Sequence, residues 1–230
     1  MIFTTDTLTP QLTELLQHYP DLKIISQKDN EVIVSGNISV FMKHPMYILR
    51  KTYGIKIIIP LNSEELPYVV DKDSYISKSY HHYYNTGKLC LETDSAIRLR
   101  FVDGFDLVAW MTEYVETYFF SYEYYMRYNY FPFGERAHGL DGVLQTYLDI
   151  FKIKDPYAVL RIMSYISLKP YRGHNNCPCG SNLKLRNCHG ETILPFFTHP
   201  KKKEILKNDY EVICKEVKRL DRNQKQTKRA

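Results

Sequence analysis

Between Cys177 and His189 the chain crowds three thiols and one imidazole into 13 residues, as Cys177-Pro178-Cys179-Gly180-Ser181 and then Cys188-His189-Gly190. Four soft or borderline donors are what a tetrahedral zinc takes from a protein. The alternative, a patch of free surface thiols, would invite oxidation. With five cysteines in all, the odd count is poor material for a disulfide framework. Gly180 and Ser181 permit the sharp turn that folds the first pair around an ion, and Lys184 and Arg186 offset thiolate charge. So short a segment cannot pack a core unaided, so the ion is expected to supply most of its folding energy. Cys177, Cys179, Cys188 and His189 leave no open coordination position. The expected Zn2+ is therefore structural and should not activate water.

The remaining composition is that of a globular protein. Of 230 residues, 44% are apolar and 25% charged, which excludes wholesale disorder and suits one medium domain with attachments or two small ones. No apolar run approaches the ~18 residues of a membrane helix. The longest candidate, residues 55–61, contains Lys56 and Pro60. The opening residues show no basic stretch ahead of an apolar one, so a cytoplasmic protein is the expectation. The net charge of +5 is unevenly spread: residues 200–230 hold 11 Lys/Arg against 5 Asp/Glu, a balance of +6, and leave the body nearly neutral.

Hydrophobic spacing predicts a first helix capped by Thr9 with Pro10 at its first position and Leu12, Leu15, Leu16 and Tyr19 on one face. Four strand-like runs follow at 22–26, 31–35, 39–42 and 53–59, with Asp29-Asn30 and Gly36-Asn37 as turns. A proline-bounded loop spans 60–67, and the stretch to Cys90 lacks clear periodicity. A helix is expected from Asp106, bearing Trp110 and a run of tyrosines that cover a sheet edge. Two more helices follow, at 142–151 and from an Asp155 cap with Pro156 first. The last helix carries Leu206, Tyr210, Ile213, Val217 and Leu220, a stripe that favours docking against protein over nucleic acid.

Residues 172–190 resemble the SEC-C motif, a small zinc-binding appendage at the C-terminus of the preprotein translocase ATPase and of other bacterial proteins. The resemblance implies the same four ligands and a recognition role, but names no activity.

Cys90 stands in Tyr80-His81-His82-Tyr83-Tyr84-Asn85-Thr86-Gly87-Lys88-Leu89-Cys90-Leu91. A cysteine between two leucines is, taken alone, more often a small buried apolar residue than a nucleophile. The order of elements around it, however, resembles ubiquitin-conjugating enzymes: helix, four-stranded meander, proline-bounded loop, a turn ending at a cysteine, and a helix with a tryptophan. That family places a histidine-proline-asparagine triplet eight to ten residues before its cysteine and a glycine three before it. Gly87 and Cys90-Leu91 match; the triplet is replaced by Tyr80, His81 and His82. His82 occupies the asparagine's position, and an imidazole can donate to an oxyanion as the amide does.

The expected fold class is accordingly α+β, a ubiquitin-conjugating-enzyme-like fold with a zinc-binding appendage. The expected segments are a catalytic domain over 1–130, a helical extension over 131–170, the SEC-C motif over 171–192 and a basic helix and tail over 193–230. The resemblance extends to standalone conjugating-enzyme-like proteins of bacterial anti-phage operons of the CBASS type. It implies transferase activity through a thioester on Cys90 with His82 beside it, acting on a protein with a C-terminal glycine, either ubiquitin-like or a nucleotidyltransferase, and an activating enzyme as donor. The rival from another class is a non-catalytic zinc-binding adaptor. A cysteine hydrolase fits less well, since no orienting carboxylate accompanies Cys90 and His82.

Overall fold

The computed structural model describes residues 2–227, with side chains through residue 216. The chain forms two compact units, one made of the residues up to Glu92 with Asp103–Glu135, the other of Thr93–Val102 with the residues from Arg136 onward.

The first unit is mixed α/β, built on a four-stranded antiparallel sheet of order β1-β2-β3-β4. Helix α1 (Thr5–His18) precedes β1 (Leu22–Gln27), β2 (Glu31–His44), β3 (Tyr47–Pro60) and β4 (Tyr68–Asp71). The helix begins before the predicted Thr9 cap. Thr4 and Thr7 form a reciprocal capping box, and Pro10 lies inside the helix, where it gives up one ladder hydrogen bond.

Strand β2 corrects the sequence reading most. The two runs at 31–35 and 39–42 are one strand, and Gly36-Asn37 is no turn: Gly36 pairs with Ile55 and Asn37 with Gly54. The hairpin instead reverses at Pro45-Met46, between the paired His44 and Tyr47. Gly36 serves a different need. A Cβ there would lie 2.0 Å from the carbonyl oxygen of Asp21. The glycine lets β1 approach β2 where Leu22 pairs with it. The fourth strand, Tyr68–Asp71, falls in the stretch that showed no periodicity, being too short to display any.

Alternation puts Val32, Val34, Ile38 and Val40 of β2, and Tyr53, Ile55, Ile57 and Ile59 of β3, on the buried face. A long helical run packs against the sheet, and α1, with Leu8, Leu12 and Leu15 buried, packs on the start of that run. That run comprises α3 (Leu107–Trp110), a π-helical stretch (Met111–Glu116) and α4 (Thr117–Tyr128). Asp106 caps it, its Oδ1 accepting the Ala109 amide at 2.9 Å.

The tyrosines do more than cover an edge. Tyr118, Tyr122 and Tyr124 are buried, and Phe119 stacks on Tyr53 with ring centroids 4.1 Å apart. One oxygen of Glu123 accepts from Tyr53 (2.8 Å), Tyr75 (2.7 Å) and Lys51 (2.9 Å). Burial works against this carboxylate's charge, but the three donors prevail and hold its pKa below the usual value.

The second unit is helical: α2 (Asp94–Arg100), α5 (Gly139–Phe151), α6 (Pro156–Leu168), α7 (Gly190–Ile193), α8 (Pro195–Thr198) and α9 (Pro200–Thr227). Asp155 caps α6 with Pro156 in its first turn. Tyr147, Phe151, Val159, Ile162, Met163, Ile166, Phe196, Leu206 and Ile213 form its core. The stripe on α9 is thus spent within the unit as far as Ile213; the side chains of Val217 and Leu220 lie outside the described residues. Asp209 of α9 accepts from Ser95 (2.8 Å) and Tyr147 (2.7 Å), tying α2 and α5 to α9. Among the described residues no helix is long and apolar enough to cross a membrane.

Two outcomes test this account. Gly36→Ala should destabilise the sheet by about 2 kcal/mol or more in urea melts, because a Cβ cannot be accommodated against the backbone of Asp21. A depressed folded-state carboxyl pKa contributes stability that is full above the unfolded value and is lost as pH falls through the folded one. Glu123→Gln should therefore lower stability at neutral pH and flatten its decline in acid, as read from melting temperature against pH.

Candidate functional sites

The Cys/His cluster is assembled by a miniature hairpin. The Cys177 amide donates to Leu183 O (2.8 Å) and the Leu185 amide to Asn175 O (2.8 Å), bringing the two halves of the segment together. A short 3-10 turn, Leu185–Asn187, then delivers Cys188, and His189 immediately precedes α7. The four donor atoms lie within 4.8 Å of one another. Cys177 Sγ is 3.3 Å and Cys188 Sγ 3.1 Å from His189 Nδ1, and Cys179 Sγ is 3.6 Å from Cys188 Sγ. Metal–ligand bonds of about 2.0–2.3 Å give a tetrahedron edges of about 3.5–3.8 Å, close to these separations.

The electrostatics suit a cation. Burial pushes the Cys177 thiol up to about 12, so its charged form needs a positive partner. Burial also opposes ionisation of Cys179, but bonds from the Ser181 hydroxyl and amide outweigh it and bring that thiol below its ordinary value. Burial lowers the pKa of His189, favouring the neutral imidazole that can ligate. The arrangement can hold a metal ion such as zinc with four protein donors.

The SEC-C motif family model matches residues 175–191. All four donors fall inside the match. No curated protein and no solved structure matches the chain.

The SEC-C segment is not a bead on a string. Cys177 and Leu185 belong to the helical core, at 4% and 0% exposure. Arg161 of α6 reaches across to donate to Pro178 O (Nε, 3.0 Å) and Cys179 O (Nη2, 2.7 Å). Sequence reasoning missed Arg161, because nothing in the spacing of α6 marks one of its polar residues as a clamp on a distant turn.

Cys90 belongs to the first unit. Residues 83–89 fold back beside β4: Val70 pairs with Lys88 and Tyr83 with Leu89. The Gly87 amide closes a turn onto Tyr84 O (2.9 Å). Gly87 takes φ +83, in the left-handed region where a side chain is strained. The Cys90 amide then donates to His82 O at 2.9 Å, so main-chain bonds set the two predicted residues side by side. A ring nitrogen of His82 and Cys90 Sγ lie within 4.8 Å.

His82 is 8% exposed, its ring edge-on to Phe131 at 5.3 Å, whereas Cys90 is half-buried. Two tyrosines complete the neighbourhood. Tyr84 donates its hydroxyl toward Cys90 Sγ at 3.5 Å, and Tyr118 donates to His82 O at 3.1 Å. Burial raises the Tyr118 pKa and keeps that hydroxyl protonated. Tyr84 could have been suspected from its place in the turn; Tyr118 arrives from α4, 28 residues beyond the cysteine.

Removing metal from the purified protein with a strong chelator should lower the melting temperature of the helical unit and reduce its helical circular dichroism. Cys179→Ser should lose the bound metal, read as metal per chain by mass spectrometry. Because Cys177 and Leu185 lie in the core, the loss should extend to α6 and α9, seen as faster amide exchange there.

Proposed function

We propose that the first unit is an acyl carrier of the ubiquitin-conjugating type, with Cys90 as nucleophile, and that the SEC-C segment holds a structural Zn2+. The observation that carries this reading is a half-buried thiol at the end of a glycine turn with an imidazole nitrogen within 4.8 Å. The order helix, four-stranded meander, cysteine turn and long helix supports the fold-level resemblance.

In the reaction, the Cys90 thiolate attacks the carbonyl carbon of an activated C-terminal glycine, presented by an activating enzyme. A C–S bond forms and the donor's leaving group departs. An amine of the acceptor then attacks the thioester; the C–S bond breaks, the thiolate is regenerated, and the amine's proton passes to a base. His82 donates to the oxyanion of each tetrahedral intermediate, and the Tyr84 hydroxyl solvates the thiolate. The resemblance to anti-phage operon proteins makes a neighbouring nucleotidyltransferase the partner to try first. The zinc keeps the helical unit folded and takes no part in the chemistry.

The packing of His82 among Phe131 and Tyr80 favours a second reading, a non-catalytic adaptor in which His82 is a core residue. Incubation with the products of adjacent genes and ATP separates the two. The carrier yields a thiol-sensitive adduct on Cys90 by intact-protein mass spectrometry. Cys90→Ala abolishes it, and His82→Ala slows transfer by about 10²–10³-fold. An adaptor gives no adduct and a Cys90 that resists alkylation in the native state.

A further inference from the structure

The β2–β3 hairpin ends in a cluster of exposed apolar side chains. Met46 at the turn, Ile48 on β3 and Phe133 beyond α4 are 58%, 60% and 57% exposed, and Phe41 and Tyr130 are nearly half-exposed. Phe41 and Ile48 share the solvent-facing side of the hairpin, where Phe41 pairs with Arg50 and Lys43 with Ile48. From the helix side, the Tyr130 hydroxyl donates to Met46 Sδ at 3.2 Å, and the Phe133 ring stands edge-on to His44 with centroids 6.1 Å apart. Scattered exposed apolar residues are ordinary, but a group gathered at one end of a sheet marks a binding surface.

The charge around this group has one sign. Residues 32–63 and 124–134 contain no Asp or Glu. Lys43 Nζ and the Arg50 guanidinium lie 5.4 and 5.1 Å from the centre of the Phe41 ring, and the Arg127 guanidinium lies 5.4 Å from that of Tyr47. Among the described residues, none of these three cations is in an ion pair. Glu123, which adjoins the second stretch, is engaged by Lys51, Tyr53 and Tyr75. A second copy of this end would set like charges face to face, which disfavours self-association.

We propose that this hairpin end docks on a bilayer rich in anionic lipid. Met46, Ile48 and Phe133 enter the boundary between headgroups and acyl chains, while Lys43, Arg50 and Arg127 meet the lipid phosphates and carboxylates. Long basic side chains suit that depth, with their stems on apolar surface and their heads in the polar layer. The apolar exposure covers both sides of the hairpin and its turn. A fluid surface closes around all three at once, whereas a protein partner would need a socket enclosing the hairpin end. The proposal holds for carrier and adaptor alike.

Flotation of the metal-replete full chain with vesicles tests this, using phosphatidylcholine alone and an equal mixture with phosphatidylserine. The mixture should bind the chain at least about tenfold more tightly, and added salt should weaken the binding. Residues 200–230 are basic too and are kept in every variant, so only the hairpin substitutions change. Lys43→Gln combined with Arg50→Gln should lower partitioning by about tenfold or more, and Phe41→Ser combined with Ile48→Ser by about the same factor, with circular dichroism unchanged. Fluorescence of Ile48→Trp should move to the blue on the mixed vesicles. Equal binding to both vesicles, unaltered partitioning of either folded double variant, or no blue shift in bound Ile48→Trp would each overturn the proposal. Hairpin-dependent binding of polyglutamate without vesicle binding would also overturn it, and would assign the surface to an acidic protein. Should the double variants misfold, the unaltered chain and Ile48→Trp decide.

Discussion

A buried thiol is favoured as the neutral group unless a cation lies beside it, and Cys177, buried in the helical core, is such a thiol. The helical unit depends on that choice. Burial disfavours the Cys177 thiolate, and a cation at the four donors would favour it. Leu185, eight residues on, is fully buried in the same core as Ile162 and Ile166. The Cys/His hairpin and the helices therefore share one hydrophobic cluster. Arg161 adds two bonds from α6 to the carbonyls of Pro178 and Cys179, so the turn that presents the first ligand pair is braced from outside the segment.

The first unit depends on a different constraint, close approach of backbone. Gly36 lets β1 come against β2, and Gly87 lets the chain after β4 turn back to pair with it. Phenol hydroxyls around that sheet find partners: buried Tyr19 at Glu116, buried Tyr53 and exposed Tyr75 at Glu123, half-buried Tyr128 at Met46 O. Burial of Tyr19 and Tyr53 is tolerable because their hydroxyls meet carboxylates.

The features legible in the sequence were those written in local chemistry. The donor spacing of the SEC-C segment, the Asp155-Pro156 helix start, and the strand character of 31–35, 39–42 and 53–59 could be read directly. Gly36-Asn37 misled because the dipeptide has turn composition, while the glycine's actual role is set by Asp21, distant in sequence and visible only once β1 and β2 pair. Tyr68–Asp71 was invisible since four residues are too few to show a period. Helix α2 gives no sign of its allegiance either; its bond from Ser95 to Asp209 spans 114 positions. Local propensity cannot encode such long-range partners, whereas a metal site with ligands 13 residues apart or fewer is encoded almost entirely by spacing.

Two bonds anchor the main chain at position 82, where the conjugating-enzyme pattern that the sequence resembles has an asparagine. His82 O accepts from both the Cys90 amide and the Tyr118 hydroxyl. In an asparagine-bearing loop the side-chain amide can order the turn; here two main-chain acceptor bonds hold it. An imidazole differs from an amide in that it can also accept a proton near neutral pH.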